Sequence, residues 1–238
     1  MTESETSQAP PPVRSLCWRL LPRFVIGLCV WGGLLLGAAG TWSWLRGWLQ
    51  LALWSLTAMA NFSILLRVNP AVIEARLNSK QITERFDKVI VLLLFAGTVA
   101  IPVLAGLDAV RYAWSAAPLW TLWLGIVLHA GGDAIMVWAM AVNPYSEGIV
   151  RVQTERGHHV ISTGPYALVR HPMYTGGLIL AAGMPLVLGS WWTFVPVGLL
   201  TTGLVIRTFF EENVLRRDLP GYEEYTRRTR CRLLPGVW

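Results

Sequence analysis

Between Met173 and Ile206 the chain carries no Lys, Arg, Asp or Glu. At about 34 residues, this apolar run exceeds the ~20 helical residues that cross a bilayer once, so it has to fold back on itself. Gly189 and Ser190 are the local helix breakers near its middle. At ~1.5 Å per residue, Pro172 to Gly189 climbs about 25 Å, and an equal descent returns the chain to its starting level near Arg207. The polar residues that flank the run therefore meet at one membrane surface.

Those flanks carry unusual chemistry. Gly164-Pro165-Tyr166 and Arg170-His171-Pro172-Met173-Tyr174 lead in, and Arg207, Glu211 and Glu212 lead out. Pro172 suits the first turn of a helix, where its missing N–H costs nothing. Arg170 and His171 then stand at a helix N-terminus, which favours an anion. Arg207 and Glu211 lie one turn apart on one face of the returning helix. Tyr166, Arg170, His171 and Tyr174 are thus expected to face an arginine and two carboxylates across a narrow helical hairpin. Gly176 and Gly177 permit close approach of backbone or ligand. The arrangement suits a zwitterionic ligand with aromatic and hydroxyl groups. Arg170 and Arg207 have a plainer reading as headgroup anchors flanking a span. Glu211 and Glu212 near a helix C-terminus oppose its dipole, a cost that a ligand could offset.

The pattern GPYxxVRHPxYxGG, a hydrophobic hairpin, RxxxEExxL and then GYxxYxxxxRxRLLPGxW resembles the isoprenylcysteine carboxyl methyltransferase and phospholipid methyltransferase superfamily of integral-membrane enzymes. The resemblance covers residues 157–238 closely, and weaker features, such as Glu84-Arg85-Phe86-Asp87 before a span, extend upstream. It implies S-adenosyl-L-methionine as methyl donor. It also implies donor binding by Tyr166, Arg170, His171, Tyr174, Glu211 and Glu212. Arg207, facing the bilayer side of this donor pocket, is the candidate for orienting an acceptor carboxylate or thiolate, and His171 is a candidate base if the acceptor must lose a proton. A sulfonium methyl transfers in one in-line displacement, so the protein's task is to align the reactants and exclude water. The acceptor, lipophilic or small, stays open among carboxylate, thiol and amine. A sterol-reductase-like NADPH enzyme and a non-catalytic membrane scaffold or transporter are the competing classes. The former's Gly-Trp-Trp and Arg-Asp-Glu pattern is unmatched here, and the latter requires no carboxylates facing Arg-His-Pro.

Composition agrees with a membrane enzyme. Hydrophobic residues make up 54% of the chain and charged residues 14%, against about a quarter charged in a soluble domain. Charge-free runs at residues 24–45, 47–66, 89–107 and 112–146, the last broken by Asp133, precede the hairpin. The expected fold is an all-α polytopic membrane bundle of about six spans. Residues 1–23 read as a partly disordered cytoplasmic tail without a cleavable leader. Residues 24–156 read as spans one to four, the probable acceptor region. Residues 157–238 read as the donor-binding catalytic region, ending in a cytoplasmic helix.

Lys and Arg set the orientation, because they concentrate on the cytoplasmic side. Of 20 such residues, only Arg46 and Arg111 fall on the opposite side of this layout, so both termini and the Arg-His-Pro block are expected in the cytoplasm. The basic balance follows from this bias and from anionic lipid, and implies no nucleic-acid partner. Cys17, Cys29 and Cys231 share no disulfide or metal spacing. His158-His159 reads as a solvated loop pair without a third metal ligand. His129 and Asp133 lie four apart on one face of span four, with Gly131 and Gly132 between them. They are either substrate-site candidates or a polar clasp between helices beside a glycine-lined contact. Asn143 and Tyr145, at the cytoplasmic end of that span, are placed to approach the donor pocket.

Overall fold

The computed structural model describes the backbone of residues 13–78 and 85–238 and the side chains of residues 15–78 and 86–238. Expectations for the tail 1–12, Lys80, Glu84 and the Arg85 side chain lie outside these described residues. Helix α1 spans Val13–Ala39, so residues 13–23 are the start of a helix rather than part of a tail. It is followed by α2 (Leu45–Val68), a short α3 (Pro70–Leu77), α4 (Arg85–Gly106), which runs into a π-helical turn at Leu107–Arg111, and α5 (Leu119–Val142). Then come α6 (Pro172–Leu188), α7 (Phe194–Asp218) and a short α8 (Tyr222–Arg228).

Among the described residues, 5 helical segments are long and apolar enough to cross a membrane: Ser15–Ala39, Leu45–Val68, Phe86–Arg111, Leu119–Val142 and Phe194–Asp218. The sixth expected span, α6, is a shorter apolar helix of 17 residues, about 25 Å long against a hydrocarbon core of about 30 Å. Pro172 opens it, and Gly189 closes it at φ 74°, a left-handed turn that glycine enters without a Cβ clash. The outer faces are apolar, with Leu92, Leu93 and Phe95 on α4 and Trp123 and Val127 on α5 all exposed. Such a surface suits contact with lipid. Exposed Trp42, Trp48, Trp114, Trp120, Trp191 and Trp192 collect near one set of helix ends, as an interfacial belt does.

The helix ends sort into two groups. At the far end, Asp108 in the π-helical turn accepts from Ser115 Oγ at 2.6 Å, Ser190 Oγ at 2.5 Å and Trp192 N at 3.2 Å, so the hairpin turn is tied to α4. Arg46 joins that end by donating to the Thr121 hydroxyl and the Leu186 carbonyl. At the near end, the Asn69 side chain donates to Met140 O and Arg76 Nε to Ser146 O.

The partner of α6 differs from the hairpin picture. It lies along α5 and touches α7 in few places, while α7 packs on α4. Glycines explain this choice. A Cβ built on Gly132 would stand 2.4 Å from Gly176 O, and one on Gly125 would stand 2.8 Å from Gly183 O. These two antiparallel contacts, seven residues apart on each helix, bring backbone against backbone, which small residues allow and lipid-facing helices favour. Gly131 and Gly177 point elsewhere: a Cβ on Gly131 meets nothing within 4 Å, and one on Gly177 meets only Met136 Sδ at 3.9 Å.

Candidate active site

The near ends of α5, α6 and α7, the loop 143–161 and α8 enclose a cleft. The α6 start is held by the C-terminal segment. Arg170 N donates to Cys231 O at 3.0 Å, His171 N to Arg232 O at 2.9 Å and Thr175 Oγ1 to Leu233 O at 2.6 Å. The RxRLLPG block of the sequence is thus a strap across the helix start.

The structure brings Tyr166, Arg170, His171, Tyr174, Glu211, Asn143 and Tyr145 to the cleft wall and divides the two glutamates. Glu211 lines the cleft and accepts a short hydrogen bond from the Tyr174 hydroxyl. Glu212, expected to meet a ligand directly, is instead 2% exposed and fully engaged by protein. Arg170 Nε lies 2.5 Å from Oε1, His171 Nε2 lies 3.4 Å from the same oxygen, and Arg232 Nε lies 3.0 Å from Oε2. Successive helical residues point about 100° apart, so the neighbours cannot share one partner. Arg170 completes its set with the carbonyls of Thr229 and Arg230. Arg232 sits 5.0 Å from both the Phe209 and Trp238 rings, a sandwich that suits a planar guanidinium.

Arg207 has a partner that hydropathy did not reveal. Its Nε lies 2.9 Å from Asp87 Oδ1, and Nη2 donates to Gly148 O at 2.8 Å. Its guanidinium stands 5.8 Å from the Tyr174 ring. Asp87 is fully buried and also accepts from Val150 N at 3.1 Å, so one ion pair ties α4, α7 and the loop that walls the cleft. An acidic residue just inside the start of a span was the available signal, since such a group needs a cation.

The loop wall is built from aromatic contacts. Asn143 Nδ2 donates to the Tyr166 hydroxyl at 3.0 Å, and Asn143 Oδ1 accepts from Tyr145 N at 2.9 Å. Burial pushes the Tyr166 phenol up to about 12, outweighing the Asn143 hydrogen bond, so it remains protonated. His158 and His159 are not a freely solvated pair. The Tyr145 ring packs at a tilt on His158 with centroids 4.3 Å apart, its hydroxyl meets His159 Nδ1 at 2.9 Å, and both histidines line the cleft. Gln153 N donates to His158 Nδ1, which identifies a neutral ring with its proton on Nε2. Burial first, and then His159 and Arg156, lower the His158 pKa to about 4.

His129 and Asp133 lie outside this cleft. His129 Nδ1 faces Gln50 Nε2 at 3.4 Å, and Asp133 accepts from Asn61 at 2.8 Å. Both contacts join α5 to α2, which is the polar clasp beside the Gly132 seam. Besides Asp87 and Arg232, sequence reasoning missed the apolar wall formed by Val160, Leu215 and Leu219 with Tyr222 and Tyr225.

A helical membrane protein with an ion-paired, tyrosine-lined cleft at one set of helix ends is the class that fold and site define. Residues 120–220 match the family model described as phospholipid methyltransferase. Two proteins described as "Probable protein-S-isoprenylcysteine O-methyltransferase", from Oryza sativa subsp. indica and subsp. japonica, are each 32% identical to the chain over 114 residues. Each alignment covers 44% of this chain and 57% of the relative, so the chain spans little more than half of their length. The chain is thus similar, over part of its length, to phospholipid methyltransferases and to protein-S-isoprenylcysteine O-methyltransferases.

Proposed function

We propose that this integral-membrane protein is an S-adenosylmethionine-dependent methyltransferase whose cleft faces the cytoplasm. The observation that carries the reading is the cleft itself, where Glu211 on α7 stands opposite the Arg170–Tyr174 start of α6 and meets the Tyr174 hydroxyl. Its polar groups suit the donor's opposite charges: Glu211 can receive an ammonium or ribose hydroxyls, and the α6 start with His171 can receive a carboxylate. When bound, the donor supplies an electrophilic sulfonium methyl. The protein's own contribution is position and dryness. Glu212 locks Arg170 and His171 in place, the strap 229–238 fixes the helix start, and the Asp87–Arg207 pair holds the inner wall.

Arg207 lies behind the cleft lining, beside Tyr174 and one turn before Glu211 on α7, and we assign it to orienting the acceptor. Asp87 already balances its charge, so it directs the acceptor more than it attracts it. His171 is the candidate base if the acceptor carries a proton, with Glu212 steadying its Nε2 hydrogen. The acceptor itself is read as lipophilic or small, a carboxylate, thiol or amine that reaches the cleft from among the helices. Orientation rests on the Lys and Arg bias, with Arg46 and Arg111 the Lys and Arg residues at the far end among the described residues.

Calorimetry of the detergent-purified protein with S-adenosylhomocysteine tests the donor assignment. Saturable binding is expected, and binding of NADPH in its place overturns it. A screen of carboxylate, thiol and amine amphiphiles with methyl-labelled donor then identifies the acceptor. A cysteine at Trp192, exposed in the turn beside Ser190, is expected to label from outside and one at Arg156 from the cytoplasm, and the reverse pattern sinks the orientation.

A further inference from the structure

Tyr222 and Tyr225 stand three residues apart at the start of α8, and both are buried in the cleft wall. Their hydroxyls have different fates. That of Tyr225 donates to Tyr166 O at 2.7 Å and so holds the Gly164–Ala167 turn in place. That of Tyr222 is closed off from solvent and has no hydrogen-bond partner among the described residues. A buried hydroxyl left unpaired is costly, and native proteins rarely tolerate one without a purpose.

The surroundings narrow the purpose. Tyr222 packs with Leu219 and Tyr225 in a small apolar cluster that Val160 and Leu215 complete. These faces are apolar, and the Glu211 and Glu212 carboxylates lie near enough to act on the phenol. Such a box suits a flat ring, which packs on aliphatic and tilted aromatic faces while the single hydroxyl reads one edge atom. Burial, with the Glu212 and Glu211 carboxylates adding to it, raises the phenol well above its ordinary range, so the group is a donor at any physiological pH.

From the orphaned hydroxyl and its apolar box we infer that Tyr222 is a nucleobase-recognition residue, which donates a hydrogen bond to a ring nitrogen of the bound nucleoside. The inference rests on the proposed donor reading and adds to it a residue whose bond is made only when ligand is present. It also gives the Gly-Tyr-x-x-Tyr segment two separate tasks: Tyr225 builds the wall and Tyr222 reads the ligand.

The test compares Tyr222→Phe and Tyr225→Phe with the unaltered full chain in detergent. Without ligand, Tyr222→Phe is expected to melt at or above the unaltered temperature, because it loses no protein partner. Tyr225→Phe is expected to melt lower, because it does. Calorimetry with S-adenosylhomocysteine should show Tyr222→Phe binding about two- to tenfold more weakly, the span of one neutral hydrogen bond. Among the 1-deaza, 3-deaza and 7-deaza purine analogues, one should bind the variant and the unaltered protein alike. Equal affinity for S-adenosylhomocysteine in both proteins overturns the inference, as does an equal loss across all four ligands or a drop in ligand-free melting temperature. Failure of the unaltered protein to bind S-adenosylhomocysteine instead removes the donor reading on which the inference stands.

Discussion

The two neighbours of α6 hold it by opposite means. Against α5 the contact is backbone on backbone, through Gly125 with Gly183 and Gly132 with Gly176. Against α7 it is made near the cleft by charged and hydroxyl side chains, with Arg170 and His171 on Glu212 and Tyr174 on Glu211. A glycine seam admits no adjustment, whereas ion pairs and hydrogen bonds can exchange partners. The first fixes where the helix stands in the membrane, and the second closes Glu212 against the helix start while Glu211 and Tyr174 line the cleft.

The largest effect is expected at the seam. Gly132→Val forces a side chain into Gly176 O and Leu180 N, and chromatography of the detergent extract should show no monodisperse protein. Gly131→Ala, one residue away in open space, should leave the protein intact. Equal behaviour of the two breaks the contrast between seam and surface.

Next comes Glu212→Gln, which leaves Arg170 buried with its main counter-charge gone. Breaking a buried pair costs about 3–5 kcal/mol, so thermal unfolding should show a loss of that size. Glu211→Gln sharpens the comparison, since it should move stability little while weakening S-adenosylhomocysteine about tenfold or more, as loss of a charge-assisted hydrogen bond does. Similar melting and binding profiles for the two variants erase the division between the glutamates.

Arg207→Lys is expected to spare donor affinity and lower turnover, because a point charge replaces a planar fork only poorly. Full turnover in a methyl-transfer assay returns Arg207 to a purely structural ion pair with Asp87.

The smallest effect concerns the loop wall. Free histidine titrates near 6.5, and His158 in the fold near 4. The unfolded chain therefore takes up the proton first as pH falls. Stability from neutral His158 is complete above about 6.5, declines toward about 4 and is flat below that. Melting temperature followed across this window should lose part of its slope in His158→Asn, and an unchanged slope removes His158 as its source.

Adjacent pairs of like residues show where reading the chain stopped. Glu211-Glu212, Gly131-Gly132 and Gly176-Gly177 each read as one feature in sequence, yet each is split by the ~100° step of a helix. One member faces the cleft or the seam and the other turns away. The step itself is legible without coordinates. Which member faces which partner depends on how the helix is rotated against its neighbours, and that follows from packing along its whole length.

What the sequence by itself determined was the membrane bundle, the turn at Gly189, the start of α6 at Pro172 and the meeting of its polar flanks with those of α7. Each follows from local rules: hydropathy sets where a helix crosses, and proline and glycine set where it begins and ends. Only the tertiary structure decided that α6 leans on α5, that Asp87 pairs with Arg207, that Arg232 returns from the C-terminus to Glu212 and that the Tyr222 hydroxyl has no hydrogen-bond partner among the described residues. Those contacts join residues distant in the chain, and their selection depends on backbone approach and on which buried charges can find a counter-charge, neither of which a hydropathy pattern records.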